Sequence, residues 1–193
     1  MNLRQLYLVL VHPQGEPGEH IARHVRRLVR RVEMVWPPPA ALAENADVLM
    51  CLLDSCARQL VNAVIARSDV AVVGIVDPQV PETVKSLRQS APHGVLCHPV
   101  NPLALAPSLL IAYGNLGCLQ RQLGKVRKLE ETLRAYKKVQ QAKAILMERR
   151  NIGEPEAYGF LRDEAMRRRM AIGAIASIVV ESHDVLLSAD DRG

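Results

Sequence analysis

Five short apolar runs lie in the first hundred residues, each of strand length and each followed by a helical or loop-like segment. They cover residues 6–11, 32–36, 47–53, 70–76 and 95–97. Strands that are apolar on nearly every residue are typical of a parallel sheet that helices cover on both faces. The pattern therefore predicts an α/β doubly wound, flavodoxin-like domain over residues 1–106.

This succession resembles the receiver domain of bacterial response regulators, and residues 94–100 resemble its Gly…Lys-Pro motif. The resemblance implies which residues an active receiver would need here. They are an acidic pair after the first strand, a phosphate-accepting Asp after the third, and a Lys before the Pro. Here the first strand runs into His12 and Pro13, the acceptor position is Leu52, and the Lys position is His98. Phosphoryl transfer would lack its nucleophile and its metal ligands. We predict a pseudo-receiver with no catalytic residue, metal or cofactor.

Asp54 lies two residues beyond the expected acceptor, and its turn preference favours a loop or helix-cap role. His12 and His98 are expected near one another at the strand ends. Two histidines alone make a poor metal site, so we interpret them as surface or packing residues.

A long helix follows, because no strong breaker stands between Pro107 and Gly153. Its apolar residues recur at steps of three and four, which predicts a coiled-coil linker over residues 107–138. The predicted dimerisation residues are Leu109, Leu116, Leu119, Leu123 and Val126. The helix could instead fold back on its own α/β domain. A receiver already has its covering helices, so we expect a parallel homodimer.

Positive charge is concentrated in one stretch of the chain. Residues 119–170 contain 14 Lys and Arg against 7 Asp and Glu, whereas residues 1–118 contain 10 against 9. A local excess of this kind is typical of a nucleic-acid surface, although a solvated helical face can also carry it. The same stretch contains two amphipathic segments, 141–147 and 156–169, and an apolar run at 172–180 can complete a three-helix bundle.

The bundle resembles the ANTAR domain, an RNA-binding module of bacterial transcription antiterminators. The match rests on residues shared with the family's motif: Ala142, Lys143, Leu146, Met147, Glu156, Ala157, Leu161, Arg162, Ala165, Met166 and Ala176. We assign the ANTAR domain to residues 139–185, with a tail at 186–193. The order of pseudo-receiver, coiled coil and ANTAR domain is most similar to the antiterminators of amidase operons.

The resemblance implies a positive regulator, not an enzyme, that binds paired hairpin loops in a leader mRNA and prevents transcription termination. It also implies control by an amide-sensing negative regulator that resembles a periplasmic binding protein. From helical spacing we predict six RNA-binding residues: Lys143, Tyr158, Arg162, Ala165, Met166 and Arg169. The inducer, the operon and the RNA sequence stay open.

Other features limit the alternatives. Six aromatic residues are too few for a base-stacking RNA-recognition sheet. The four cysteines lack metal-ligand spacing, so we expect buried reduced thiols and a cytoplasmic protein. We expect no signal peptide, and no apolar run approaching the roughly 18 residues that span a membrane. Two other functions remain: a DNA-binding response-regulator-like transcription factor, and a pure dimerisation protein whose charges are merely solvated.

Overall fold

The computed structural model describes residues 2–54 and 56–190, with side chains as far as residue 183. It contains two compact units, Met1–Gln122 and Leu123–Gly193. After a short 3-10 turn the elements are β1 (Tyr7–Val11), α1 (Glu16–Val25), β2 (Arg31–Val35), β3 (Val48–Leu52), α2 (Arg58–Arg67), β4 (Ala71–Val76), α3 (Pro81–Ser90), β5 (Gly94–Cys97), α4 (Pro102–Arg150), α5 (Glu154–Arg168) and α6 (Ile172–Asp190).

The five predicted strands form one fully parallel sheet in the order β2-β1-β3-β4-β5. This is the flavodoxin-like strand order, so the predicted fold class is confirmed. Each strand begins and ends within one residue of its prediction. The first helix, α1, is Glu16–Val25. Pro17, near its start, suits a first helical turn, where its missing N–H costs nothing.

Alternate residues of each strand point to two separate cores. Leu8 and Leu10 face one core, which α1 and the first part of α4 cover. Val9 and Val11 face the other, which α2 covers together with Leu87 of α3. Both faces of the sheet are therefore buried, which explains why strands β1, β3 and β4 are apolar at almost every position.

The first part of α4 belongs to the receiver-like unit. Leu105, Leu109, Ala112 and Leu116 are at most 3% exposed and pack in the same core as β1 and α1. The carbonyl of His93 accepts a hydrogen bond from Asn115 Nδ2 at 2.8 Å, just before β5. A Cβ on Gly94 would lie 3.0 Å from the Ala112 Cβ, so the helix approaches the sheet closely here. The predicted dimer seam is therefore wrong for Leu109 and Leu116, which are core residues.

The connection between β2 and β3 explains why α4 covers the sheet. Residues 36–47, between β2 and β3, form no helix, and they begin with Trp36 followed by three prolines that cannot support one. Among the described residues only three α-helices precede α4, so one face of the sheet would lack half its cover without it. The fold-back alternative holds for residues 105–116, because burial of that apolar face is strongly favourable.

Helix α4 also contains an 18-residue window with mean hydropathy 1.4, which by length and composition alone could cross a membrane. The residues from Pro102 to Gln120 carry no charge, so the prediction that no apolar run approaches this length is wrong. Packing accounts for part of this composition, since Leu105, Leu109 and Leu116 of the segment are core residues of the first unit.

The second unit is the predicted three-helix bundle. The end of α4 contributes Val139, Ala142 and Leu146 to a core that α5 and α6 complete. The segment 141–147 is not a separate helix, because α4 continues without a break to Arg150. The predicted domain limits at 106/107 and 138/139 thus fall inside one helix. Most of the predicted tail extends α6, which ends at Asp190, and residues 191–193 lie outside the described part.

The core role of Leu109 can be tested against its neighbour. Leu109 is 1% exposed and Leu110 is 47% exposed. We expect Leu109→Ala to lower the free energy of unfolding of the first unit by about 2–5 kcal/mol, and Leu110→Ala by about 0.5 kcal/mol or less. Urea unfolding followed by fluorescence of Trp36, the single tryptophan, which packs against the second core, reports on this unit. Equal losses in the two variants would contradict the packing.

Candidate functional site

At the carboxyl ends of the strands, the positions that the sequence indicated carry none of the residues that a receiver uses for phosphoryl transfer. Leu52 ends β3, and Asp54 follows it with its Oδ1 accepting a hydrogen bond from the backbone N–H of Ala57 at 2.8 Å. Asp54 therefore organises the turn that leads into α2, as predicted. One oxygen of the Asp54 carboxylate is therefore engaged by a backbone N–H.

His12 is a packing residue in this structure. It is 6% exposed, and its Nδ1 lies 3.0 Å from the carbonyl oxygen of Pro13. Gly18 of α1 passes so close that a Cβ there would lie 2.9 Å from the imidazole. His98, by contrast, lines a shallow cleft with Glu16 and His20. Within residues 2–54 and 56–190, no cluster of three or more His, Cys, Asp or Glu could hold a metal ion.

The cysteines are all free thiols, but the prediction that they are buried holds only for Cys51. Burial, with a smaller contribution from the charge of Asp54, raises the pKa of the Cys51 thiol to about 12. It is therefore an unreactive core residue. Cys56, Cys97 and Cys118 are exposed.

Helix α5 presents the predicted face to solvent. Glu154, Pro155 and Glu156 form its first turn, and the Gly153 N–H donates to Glu156 Oε2 at 3.2 Å. Pro fits a first turn, and carboxylates there oppose the positive end of the helix dipole. The buried stripe consists of Ala157, Leu161 and Ala165. On one flank of this stripe lie the exposed side chains of Tyr158, Arg162, Met166 and Arg169.

We call these four residues the α5 face. Tyr158 is 47% exposed and Met166 is 70% exposed. Two large side chains are therefore exposed to solvent. Arg162 pairs with Asp163 at 3.1 Å, and both side chains are more than half exposed. Such a pair contributes little stability and leaves the guanidinium available to a ligand.

Two of the six predicted RNA-binding residues lie elsewhere. Ala165 is 7% exposed and packs inward, so it cannot admit a ligand backbone. Lys143 is 7% exposed, and its Nζ lies 2.5 Å from Glu154 Oε1. The ammonium therefore links α4 to the first turn of α5, and the prediction that it lies on the RNA-binding surface is not supported by its position. A lysine among apolar residues at helical spacing is the signal that could have indicated burial.

Sequence reasoning missed a groove on the other flank of α5. Helices α5 and α6 form its walls, with the end of α4. Glu164, whose side chain is 14% exposed, accepts hydrogen bonds from Arg167 at 2.7 Å and from Arg168. The bonds to Arg167 and then Arg168 hold the pKa of the Glu164 carboxyl below its usual range. Arg150 stacks over the Phe160 ring at 4.1 Å.

Comparison with protein families agrees with both units. Residues 6–113 match the family described as AmiR, N-terminal, and residues 127–180 match the ANTAR domain. A pseudo-receiver followed by an ANTAR domain defines a class of transcriptional regulators. This chain belongs to the AmiR family within that class.

Two curated relatives show different extents of similarity. The aliphatic amidase regulator of Pseudomonas aeruginosa is 27% identical over 178 residues, which is 91% of each chain. Transcriptional regulatory protein PdtaR of Mycobacterium tuberculosis is 27% identical over 101 residues, covering 52% of this chain and 49% of PdtaR. Among solved structures, response regulator ChrA of a heme-sensing two-component system has a TM-score of 0.52 at 11% identity, over 94% of this chain and 99% of that one. At that identity the likeness concerns the fold alone.

The Lys143–Glu154 pair predicts a pH dependence. The hydrogen bond and charge of Lys143 hold the pKa of the Glu154 carboxyl below its ordinary 4.5. Because the folded pKa is the lower one, the stabilisation is complete above that ordinary value and is lost as pH falls through the folded one. In Lys143→Met, which keeps the apolar stem, we expect the Glu154 pKa to return to its ordinary range. Carboxyl titration by NMR measures it, with Glu156 as the internal control. An unchanged Glu154 pKa would show that the pair does not form in solution.

Proposed function

We propose that this regulator binds hairpin loops in a leader mRNA through the α5 face and so prevents transcription termination. The observation that supports it most directly is the arrangement of α5. Its apolar stripe is fully used in the bundle, yet Tyr158, Arg162, Met166 and Arg169 stand exposed beside it. Cations attract phosphate, and a tyrosine offers a surface on which an unpaired base can stack.

The charge distribution supports a polyanionic partner. The excess of Lys and Arg lies in residues 119–170, which include most of α4 beyond the receiver core and all of α5. Two of the acidic residues of α5, Asp163 and Glu164, pair with arginines of the same helix. RNA hairpin loops, unlike a duplex, present unstacked bases together with phosphates. The α5 face contains groups suited to both.

We further propose that a protein partner, and not phosphorylation, controls the regulator. The receiver-like unit has Leu52 where phosphate would be accepted and His98 where a Lys would stand. Its fold is retained, so its surface can still serve recognition. The similarity to an aliphatic amidase regulator over 91% of the chain favours an amide-sensing negative regulator that resembles a periplasmic binding protein. The site of action would be the cytoplasm, where transcripts are made.

A dimer would supply two ANTAR domains for two hairpin loops. In the second unit, α4 exposes an apolar stripe at steps of three and four residues, with two consecutive steps of three that would locally overwind a coiled coil. Its members, 40–69% exposed, are Leu123, Val126, Leu129, Leu133 and Tyr136. We propose this stripe as the parallel coiled-coil seam, with half-buried Leu119 at its start, in place of the seam predicted from Leu109. Linked modules gain avidity when both reach their targets together.

RNA binding is tested by filter titration of the full chain against a transcript pool with two randomised stem-loops and against duplex DNA of equal charge. We expect preference for the RNA, and a log–log salt slope of roughly −0.7 for each phosphate contact. Arg162→Ala should weaken RNA binding by about 1–3 kcal/mol if it contacts a base edge. Arg23→Ala, an exposed arginine of α1, is the control and should change little. Preference for duplex DNA would favour the transcription-factor alternative, and no binding to either would favour a pure dimerisation protein.

The seam predicts a charge-sensitive dimer. In Leu129→Glu a carboxylate would be buried against leucines, which is costly, so we expect a monomer at micromolar concentration. Leu129→Met keeps an apolar side chain and should stay dimeric. Glu131→Lys places a larger change of charge on the side of α4 that faces away from Leu129 and Leu133, and should also stay dimeric. Sedimentation velocity measures the mass, and a wild-type monomer that binds the two-loop RNA tightly would contradict the proposal.

A further inference from the structure

The groove beside α5 has both an apolar floor and a cationic rim. Phe160, Ile175, Ile178 and Val179 form the floor, and the chain has no other phenylalanine. Ile178 is 41% exposed, whereas Ile175, one turn earlier on the same helix, is 2% exposed. Arg150, Arg167 and Arg168 stand around it with two carboxylates, Asp163 and Glu164.

The rim is built to hold its cations in place. Glu164 fixes Arg167 and Arg168 from the same helix, at spacings of three and four residues. Asp163 pairs with Arg162, on the opposite flank of α5. Among the described residues Arg150 has no carboxylate partner, and its guanidinium lies against the Phe160 ring. One cation is thus pre-positioned at the edge of the floor without being neutralised.

We infer that this groove binds one extruded nucleotide of the RNA hairpin loop, its base on the floor beside Phe160 and Ile178 and its phosphate on Arg150. The inference rests on the proposed RNA binding and adds a second contact surface to the α5 face. A free phosphate would need no apolar floor, and an apolar peptide would gain nothing from an unneutralised arginine. A nucleotide uses both, because a base packs on apolar and aromatic side chains and a phosphate pairs with a guanidinium group.

The two surfaces flank the same buried stripe of α5. The α5 face carries Tyr158, Arg162 and Met166 on one side, and the groove carries Phe160, Glu164 and Arg167 on the other. A single RNA loop that reached both surfaces would contact α5 on both flanks. Contact on both flanks would favour a loop with splayed bases over a regular duplex, whose bases stay stacked.

The experiment is a double-mutant cycle between protein and RNA. A two-stem-loop RNA is selected from the randomised pool with the wild-type full chain, and each loop base is then removed singly by an abasic nucleotide. For one loop position we expect base removal to weaken wild-type binding by roughly 5- to 100-fold, and Phe160→Leu binding by less than about twofold. Phe160→Leu with intact RNA should show the same loss as base removal alone.

Exposed residues keep the test independent of folding. Ile178→Gln alters the floor at a partly exposed position and should reproduce the coupling if Phe160→Leu unfolds the bundle. Arg150→Gln should weaken binding and reduce the salt slope by about one contact. Arg88→Gln, on α3, is the matched control.

The outcomes separate this inference from the proposed function. Tight RNA binding that Arg162→Ala weakens, with no coupling between Phe160 or Ile178 and any loop base, overturns the groove inference and leaves the proposed function intact. Failure of the wild-type chain to bind any member of the pool overturns both.

Discussion

The packing of the first turns of α4 on the parallel sheet is the interaction on which the rest of the chain depends. The β2–β3 connection contains no helix, so part of one sheet face would be open. Leu105, Leu109 and Leu116 cover that part. Because the same helix continues to Arg150, its far end supplies one wall of the ANTAR bundle. One element therefore completes two hydrophobic cores. Loss of its packing on the sheet would expose apolar surface in the first unit.

The two units differ in the kind of polar residues that they present. The receiver-like unit keeps the strand order of its class, yet Leu52 and His98 occupy positions where phosphate chemistry would need an acceptor and a cation. Its buried groups serve packing, as His12 and Cys51 show. The ANTAR unit holds the charge excess and fixes several arginines through carboxylates of the same helix. A protein contact at the first unit and a nucleic-acid contact at the second are consistent with this difference.

Within the bundle, polar residues have separate tasks that their sequence positions do not reveal. Lys143 and Arg162 both looked like ligand-binding cations at helical spacing. Lys143 is enclosed by the core and bound to Glu154, whereas Arg162 stands in solvent beside Asp163. A buried ammonium needs its partner, since an unpaired charge in that position would be strongly destabilising. Exposure, and not residue type, distinguishes a structural cation from one that is available to a ligand.

The sequence by itself determined the fold class, the five strands, the replacement of receiver residues at Leu52 and His98 and the three-helix basic bundle, because apolar runs, missing carboxylates and helical periodicity are local properties. Only the tertiary structure decided which face of α4 is buried. A seam of leucines every three or four residues is equally suited to a second copy or to the chain's own sheet. It also decided that Lys143 and Ala165 point inward and that Phe160, Arg150 and Glu164 share a groove, since these contacts join residues of different helices or fix orientations that spacing leaves open.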